Sequence, residues 1–221
     1  MSDRIAQSRF FIRLFEIIIP VLTWLLITLP VWLSPFHPAM VAYLILTFNL
    51  YFFYKSALTV YYAVLSYKTI EFHQKISYVA KLKKLNKGKE LRHFIVIPNY
   101  KEQLHKLEES LRQITKMDYP YGKPVIVLAF EAREENIKEK AQKLKAKFGK
   151  SFEAIIETYH EIQPGEAAGK ASNETFSCRQ IEKLCVEQNI PFTDVIITIA
   201  DADSMFPKNY LSYLTYEYLM D

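Results

Sequence analysis

Apolar and polar positions follow two different rhythms along this chain, one up to residue 66 and another after residue 92. The first part holds two long apolar runs, residues 10–33 (FFIRLFEIIIPVLTWLLITLPVWL) and 39–66 (AMVAYLILTFNLYFFYKSALTVYYAVLS). A helix needs about 20 mostly apolar residues to cross the hydrocarbon of a bilayer. The second run meets that length with one interruption, Lys55. The clean core of the first, Ile17 to Leu33, is shorter and carries Pro20 and Pro30, which membrane helices tolerate. Together they predict an α-helical transmembrane hairpin; a pair of buried or interfacial helices in a larger assembly is the alternative.

After Arg92, short apolar runs alternate with charged amphipathic stretches. The runs are His93 to Pro98 (HFIVIP), Pro124 to Phe130 (PVIVLAF), Glu153 to Tyr159 (EAIIETY) and Asp194 to Ala200 (DVIITIA). Between them lie Lys101 to Lys116, with Leu104, Leu107, Leu111 and Ile114 at helical spacing, then Glu134 to Phe148 and Ala171 to Gln188. Strand and helix in alternation predict βαβ units and an α/β fold with a mostly parallel sheet. Right-handed crossovers then bring all four strand carboxyl ends to one edge, where open α/β sheets bind ligands.

Charge orients the hairpin. Arg4, Arg9 and Arg13 precede the first run, the connection PVWLSPFHP has neither Lys nor Arg, and a series from Lys68 to Arg92 follows the second. The positive-inside rule places both ends, and the soluble part, on the cytoplasmic side of a multi-pass membrane protein. Glu16 and the lack of a small-residue cleavage site argue against a signal peptide. Residues 68–91, rich in Lys, are expected to be a basic juxtamembrane connector along the anionic leaflet, contacting membrane lipid. The domains are thus 1–67, 68–91 and 92–221. The net charge of +4 is too small, and its Lys too mixed with Glu, to argue for nucleic acid. Cys178 and Cys185 are one heptad apart on a predicted helix and read as core residues; the five histidines show no ligand spacing, so no zinc site is assigned.

The chemistry concentrates at the last strand. Val195 to Ile199 has no polar alternation, so it is expected to be buried on both faces, and it ends in Asp201 and Asp203. Two apart on an extended chain, these carboxylates point the same way and can share a Mg²⁺ or Mn²⁺ that in turn holds a diphosphate. On the same predicted rim lie Asn99, Tyr100 and Glu102, then Glu131 and Arg133, and then His160 with the loop from Gln163 to Asn173. Gly165 and Gly169 let backbone approach a ligand there, and Lys170 adds a positive charge near a helix start that favours phosphate. The Walker pattern is absent, which weakens an ATPase reading.

A strand followed by PNYKE (Pro98 to Glu102), a second strand, GKASN (Gly169 to Asn173) and a strand ending in DAD (Asp201 to Asp203) resemble, in that order, the donor half of a family 2 glycosyltransferase. The resemblance covers roughly residues 92–220. It implies a GT-A fold binding a UDP- or GDP-linked sugar, with Mn²⁺ or Mg²⁺ as cofactor, and transfer to a glycan or lipid acceptor, by inversion, at the cytoplasmic face. Carried over by position, Asp203 resembles the metal ligand and Asp201 its partner toward metal or ribose. Pro98, Tyr100 and Glu102 match the loop bordering the nucleoside; Lys170 matches a residue near the diphosphate, and Asn173 ends that motif. The family commonly carries an Asp pair after the second strand; here the chain reads AFEARE, with Glu131 or Glu134 in its place. The ending LSYLTYEYLMD carries no stop signal, so the chain is expected to be a donor-half fragment whose acceptor base lies beyond Asp221.

Duller explanations stand beside these. Asp201 and Asp203 suit a cap and a turn before Pro207, Glu102 suits a helix start, Tyr100 suits packing, and Glu131 and Arg133 can pair with each other. Two other functions fit less of the pattern. A nucleotidyltransferase would carry a glycine-rich basic loop after the first strand, which NYKEQL is not. A non-catalytic membrane protein with a degenerate nucleotide site, acting by interaction, would bind nucleotide without the metal or not at all.

Overall fold

The computed structural model describes residues 9–221, with side chains from Phe11 onward. Arg4, and the side chain of Arg9, lie outside the described residues. The chain forms two compact units that divide between Glu71 and Phe72.

The first unit is built from α1 (Arg9–Leu33) and α2 (Pro38–Gln74), the second of which runs on past Phe72. A tight turn joins them, in which the Phe36 and His37 amides donate to the Leu33 carbonyl at 3.1 and 2.9 Å. Both helices are long and apolar enough to cross a membrane. Val41 is the one buried side chain among those described in this unit. Polar side chains along the helices turn back on their own backbone: Thr23 donates to Ile19 O, Thr28 to Trp24 O and Asn49 to Ile45 O, each at 2.8 Å. Such bonding satisfies a hydroxyl or amide without water.

The second unit is an α/β sandwich. Its elements are α3 (Tyr78–Leu85), β1 (Arg92–Asn99), α4 (Leu104–Ile114), β2 (Val125–Glu131), α5 (Ile137–Phe148), β3 (Ala154–His160), α6 (Lys170–Glu187), β4 (Val195–Ile199) and α7 (Tyr210–Met220). All four strands are parallel, in the order β3-β2-β1-β4. The register explains why β1 and β2 are continuous apolar runs. Ile95 lies beside Ile126 and Ile97 beside Leu128, and this face packs against Leu107 and Leu111 of α4 and Ala141 and Leu144 of α5. The alternate residues, Phe94, Val96 and Val127, face Ile181 and Cys185 of α6. Central strands covered by helices on both faces have no use for polar alternation.

Three expectations change. The strand ending at the aspartates is not buried on both faces: Ile197 and Ile199 are 40% and 46% exposed. β4 is an edge strand paired only with β1, and these two residues share the face of Phe94 and Val96, which α6 covers across β1, β2 and β3. Helices α4 and α5 start later than expected, at Leu104 and Ile137, because Lys101 and Asn136 adopt left-handed backbone (φ 58° and 60°) just before them. Residues 78–91 belong to the second unit rather than forming a separate connector. Ser77 caps α3, Tyr78 and Leu82 are fully buried, and α3 packs against α7, leaving Lys83, Lys84, Lys87 and Lys89 exposed.

Candidate functional site

A pocket of about 460 Å³ opens at the carboxyl edge of the sheet. It gathers segments that are far apart in sequence: Pro98, Tyr100 and Glu102 after β1, Glu131 at the end of β2, Lys170 and Asn173 from the start of α6, and Asp201 and Asp203 after β4. These are the eight residues assigned to donor or metal binding in the sequence; of the others considered there, His160, Gly165 and Glu134 do not line this pocket. Asn99, Arg133, Gly169 and Ala202 complete the wall.

Pro98 shows how the sheet makes room. Proline is disfavoured in a central strand because it cannot donate to the ladder. Residues 96 and 98 point their backbone groups to the same side, and at Val96 that side is β4, since the Ala200 amide donates to Val96 O at 2.9 Å. The β1–β4 register ends at Val96 and Ile199. By residue 98 the neighbour has left, so the missing N–H leaves no gap.

The β1 and β2 ends meet over an aromatic ring. Glu131, almost wholly buried, accepts from Arg133 Nε at 2.6 Å, and the Arg133 guanidinium lies 4.2 Å from the centre of the Tyr100 ring. The expected pairing of Glu131 with Arg133 is therefore present, but as part of the pocket wall. Glu134, considered as a stand-in for the family's acidic pair, does not line the pocket. It accepts the Lys101 amide at 2.7 Å and is ion-paired with Lys140. Glu102 adjoins the start of α4, its amide donating to Asn99 Oδ1 at 3.3 Å and its carboxylate 3.4 Å from Lys106.

On the opposite side Lys170 is ion-paired with Asp201 and lies 3.6 Å from Glu174. The hydrogen bond to Asp201 holds the lysine above its ordinary pKa, so it is a cation. Lys170 is the first residue of α6, where the free N–H groups and the dipole of an 18-residue helix favour an anion. The side chain of Asn173 donates to Ala129 O at 2.8 Å and ties the helix start to β2. Asn99 Nδ2 and Asn173 Oδ1 are buried without partners among the described residues, although both residues line the pocket. A buried donor and acceptor left unpaired each cost about 1–3 kcal/mol, which a polar ligand or water would relieve.

The two aspartates are not on extended chain. β4 ends at Ile199, and residues 201–204 form a turn in which the Ser204 amide donates to Asp201 O at 2.9 Å. Strand alternation therefore does not orient this pair; what brings them to the pocket is the turn. Asp203 is exposed and, among the described residues, has no ion pair. No group of three or more His, Cys, Asp or Glu side chains that could hold a metal occurs among the described residues. Asp201 and Asp203 are two carboxylates on one wall of the pocket, and Mg²⁺ is usually bound through one or two carboxylates with ligand phosphates and water supplying the rest.

His160 lies off this pocket. Its Nε2 is 3.1 Å from Glu166 Oε2, its ring packs on Phe176, and it lines a larger pocket of about 680 Å³ between the end of β3 and α6. That pocket collects nothing from β1 or β4. The two cysteines are free, with Cys185 on the core face of α6 and burial pushing both thiols up. Lys140, one Lys among several on α5, stands behind the wall through its ion pair with Glu134. Compared with family models, curated proteins and solved structures, the chain matches none.

Proposed function

We propose that residues 92–221 bind the nucleotide-sugar donor of a family 2 glycosyltransferase of GT-A type, anchored by a transmembrane hairpin, α1 and α2, with the sheet on the cytoplasmic side. The observation that carries this reading is the convergence of the eight residues on one pocket at the carboxyl edge of a parallel sheet. In this reading the Tyr100 ring offers a face to the base, and Glu131 and Arg133 contact its edge. Lys170 and the start of α6 hold the diphosphate, and Asn99 and Asn173 satisfy their spare groups on ribose or phosphate. Asp203, with Asp201, would hold a Mn²⁺ or Mg²⁺, which supplies neutralisation of the leaving diphosphate. Transfer to a glycan or lipid hydroxyl proceeds with inversion, and no residue of this chain is assigned as the acceptor's base.

Lys170 has a double use here. Its charge offsets that of Asp201, and a diphosphate entering the pocket competes for the same ammonium group. One observation favours a second reading, a nucleotide-binding membrane protein without transferase activity: Asp201 is already ion-paired with Lys170, which leaves Asp203 as the one of the two aspartates without an ion pair among the described residues.

The test is the thermal stability of the detergent-solubilised chain with UDP, GDP and their sugars, with and without Mn²⁺, in wild type and Asp203→Ala. A ligand at 100 times its dissociation constant adds about 2.7 kcal/mol to a folded site. A Mn²⁺-dependent shift abolished in Asp203→Ala is expected. A shift indifferent to metal selects the second reading, and no shift with any nucleotide in a folded sample defeats both.

A further inference from the structure

We infer that Glu134 and Lys140, neither of which lines the pocket, are positioning residues that fix Tyr100 and so set affinity for the nucleoside part of the ligand. The inference rests on the donor-site reading above and adds to it a pair of residues behind the wall.

The loop after β1 has to deliver Tyr100 to the pocket and then start α4 at Leu104. It does so through a left-handed residue, Lys101, at φ 58°. Lysine does not favour that conformation intrinsically, although its ammonium does lie 5.2 Å from the centre of the Tyr100 ring, and non-glycine residues hold it only where surroundings enforce it. Here the enforcement comes from another loop. Glu134 Oε2 accepts the Lys101 amide at 2.7 Å, so the carboxylate grips the chain at the strained residue itself. Lys140, from α5, is ion-paired with Glu134 and donates to Glu102 O at 2.8 Å, so the next peptide is gripped as well. Asn99 Oδ1 closes the turn on the Glu102 amide.

The pair is buried, with 6% and 14% of the two side chains exposed. Burying two charges carries a desolvation penalty that often cancels their attraction, so stability alone explains such a pair poorly; fixing a conformation explains it better. The conformation fixed here has a consequence at the pocket. Glu134 lies three residues after Glu131, with its amide donating to Glu131 O at 3.0 Å, so the pair couples the loop bearing Tyr100 to the loop bearing Glu131 and Arg133. The 4.2 Å approach of the Arg133 guanidinium to the Tyr100 ring spans those two loops. Lys170 and Asp201 lie on other segments and are not held by this clamp.

That asymmetry gives the experiment. Titrate the full chain in detergent, by calorimetry, with UDP and GDP and separately with Mn²⁺ plus inorganic pyrophosphate. Compare wild type with Glu134→Leu/Lys140→Met, which removes both charges together, and with Glu134→Gln/Lys140→Met, which keeps an acceptor for the Lys101 amide. The apolar double variant is expected to bind nucleoside diphosphate about tenfold more weakly, as for one lost positioning hydrogen bond at full strength. It should bind pyrophosphate as wild type does, and the Gln variant should recover most of the nucleotide affinity. Unchanged nucleotide affinity in the apolar variant, equal loss of nucleotide and pyrophosphate, or failure of either double variant to fold would overturn the positioning role. Wild type that binds pyrophosphate but no nucleotide defeats the donor-site reading instead, which separates the two failures.

Discussion

Lys170 and Asp201, thirty-one residues apart in the chain, form an ion pair across the pocket. The lysine opens α6 and the aspartate follows β4, so the contact joins the two sides of the sheet's carboxyl edge at the place where a diphosphate is proposed to sit. Both side chains are more than half exposed, and exposed pairs of this kind contribute about 0–1 kcal/mol to stability. The pair is therefore better regarded as a balance of charge than as a fastening.

Removing one partner should show this. Asp201→Asn is expected to leave unfolding stability within about 1 kcal/mol of wild type. It should strengthen metal-free binding of pyrophosphate by freeing Lys170, while Lys170→Ala weakens it by about tenfold, the weight of one charge-assisted hydrogen bond. Calorimetric titration of both variants with pyrophosphate checks the two directions. Weaker metal-free binding in Asp201→Asn would mean that the aspartate orients the lysine instead of competing for it.

Tyr100 makes a different demand. With the Arg133 guanidinium 4.2 Å over its ring, it supplies a flat surface flanked by a cation, and stacking of a base on an aromatic side chain is worth about 1–3 kcal/mol by alanine substitution. Tyr100→Ala is expected to weaken UDP or GDP by that amount and to leave pyrophosphate unaffected. Tyr100→Phe should bind nucleotide like wild type, because the ring and not the hydroxyl is used. Equal losses in the Ala and Phe variants would move the base elsewhere.

Much of this was legible beforehand, for reasons that differ by segment. The strands could be read because β1 and β2 are buried on both faces, and such strands announce themselves as unbroken runs of Ile, Val and Leu. β4 looked the same and is not, because edge position is a property of the sheet and not of the strand; Ile197 and Ile199 carry no mark of it. The pocket residues could be collected because each sits just past a strand end or at a helix start, positions that topology converts into neighbours. The turn geometry of Asp201 to Ser204 was out of reach, since Asp suits both a strand end and a turn. The Glu134–Lys140 clamp was equally hidden. It depends on one left-handed residue at Lys101, and nothing in the letters NYKEQ requires that conformation. The amphipathic α3 was lost within a general richness in Lys, although Tyr78, Leu82 and Leu85 lie on a helical stripe once its cap, Ser77, is recognised.

Gly88 marks where the chain leaving α3 meets α7. Its φ of 82° lies in the left-handed region, and a Cβ placed there would approach Leu219 Cδ1 to 2.8 Å and Leu91 Cδ1 to 3.3 Å. Gly88→Ala therefore adds backbone strain to a close contact and is expected to destabilise the second unit by about 1–3 kcal/mol. The check is urea unfolding followed by a probe in that unit, beside Gly165→Ala as a control. Gly165 has a similar φ of 85° but no atom within 4 Å of its Cβ position, so the difference between the two variants isolates the contact with Leu219. Identical losses would show that conformation alone matters at both.

His93 should make the second unit acid-sensitive. It sits in β1, 2% exposed, with Nε2 2.7 Å from Thr215 Oγ1 of α7 and its ring edge-on to Tyr119. Burial lowers its pKa from 6.5 to about 4, and Nδ1 has no partner among the described residues, so the imidazolium would place an N–H where nothing accepts it. The folded pKa lies below the unfolded one. Between those values the unfolded chain holds a proton that the folded chain refuses, so stability is fully present above about pH 6.5 and is lost as pH falls toward 4. A shift from 6.5 to about 4 corresponds to roughly 3 kcal/mol at the low end. Carboxylates also lose stability on acidification, which is why the comparison must be with a variant that cannot charge. His93→Gln keeps a polar group near Thr215 and is expected to be less stable than wild type at pH 7.5, yet to flatten the decline from pH 6.5 to 4 by close to one proton's worth of slope. Unfolding free energies of both proteins measured at half-unit steps across that range decide it. Parallel curves would mean that the histidine is protonated in the folded state, or that acid unfolding begins elsewhere in the unit.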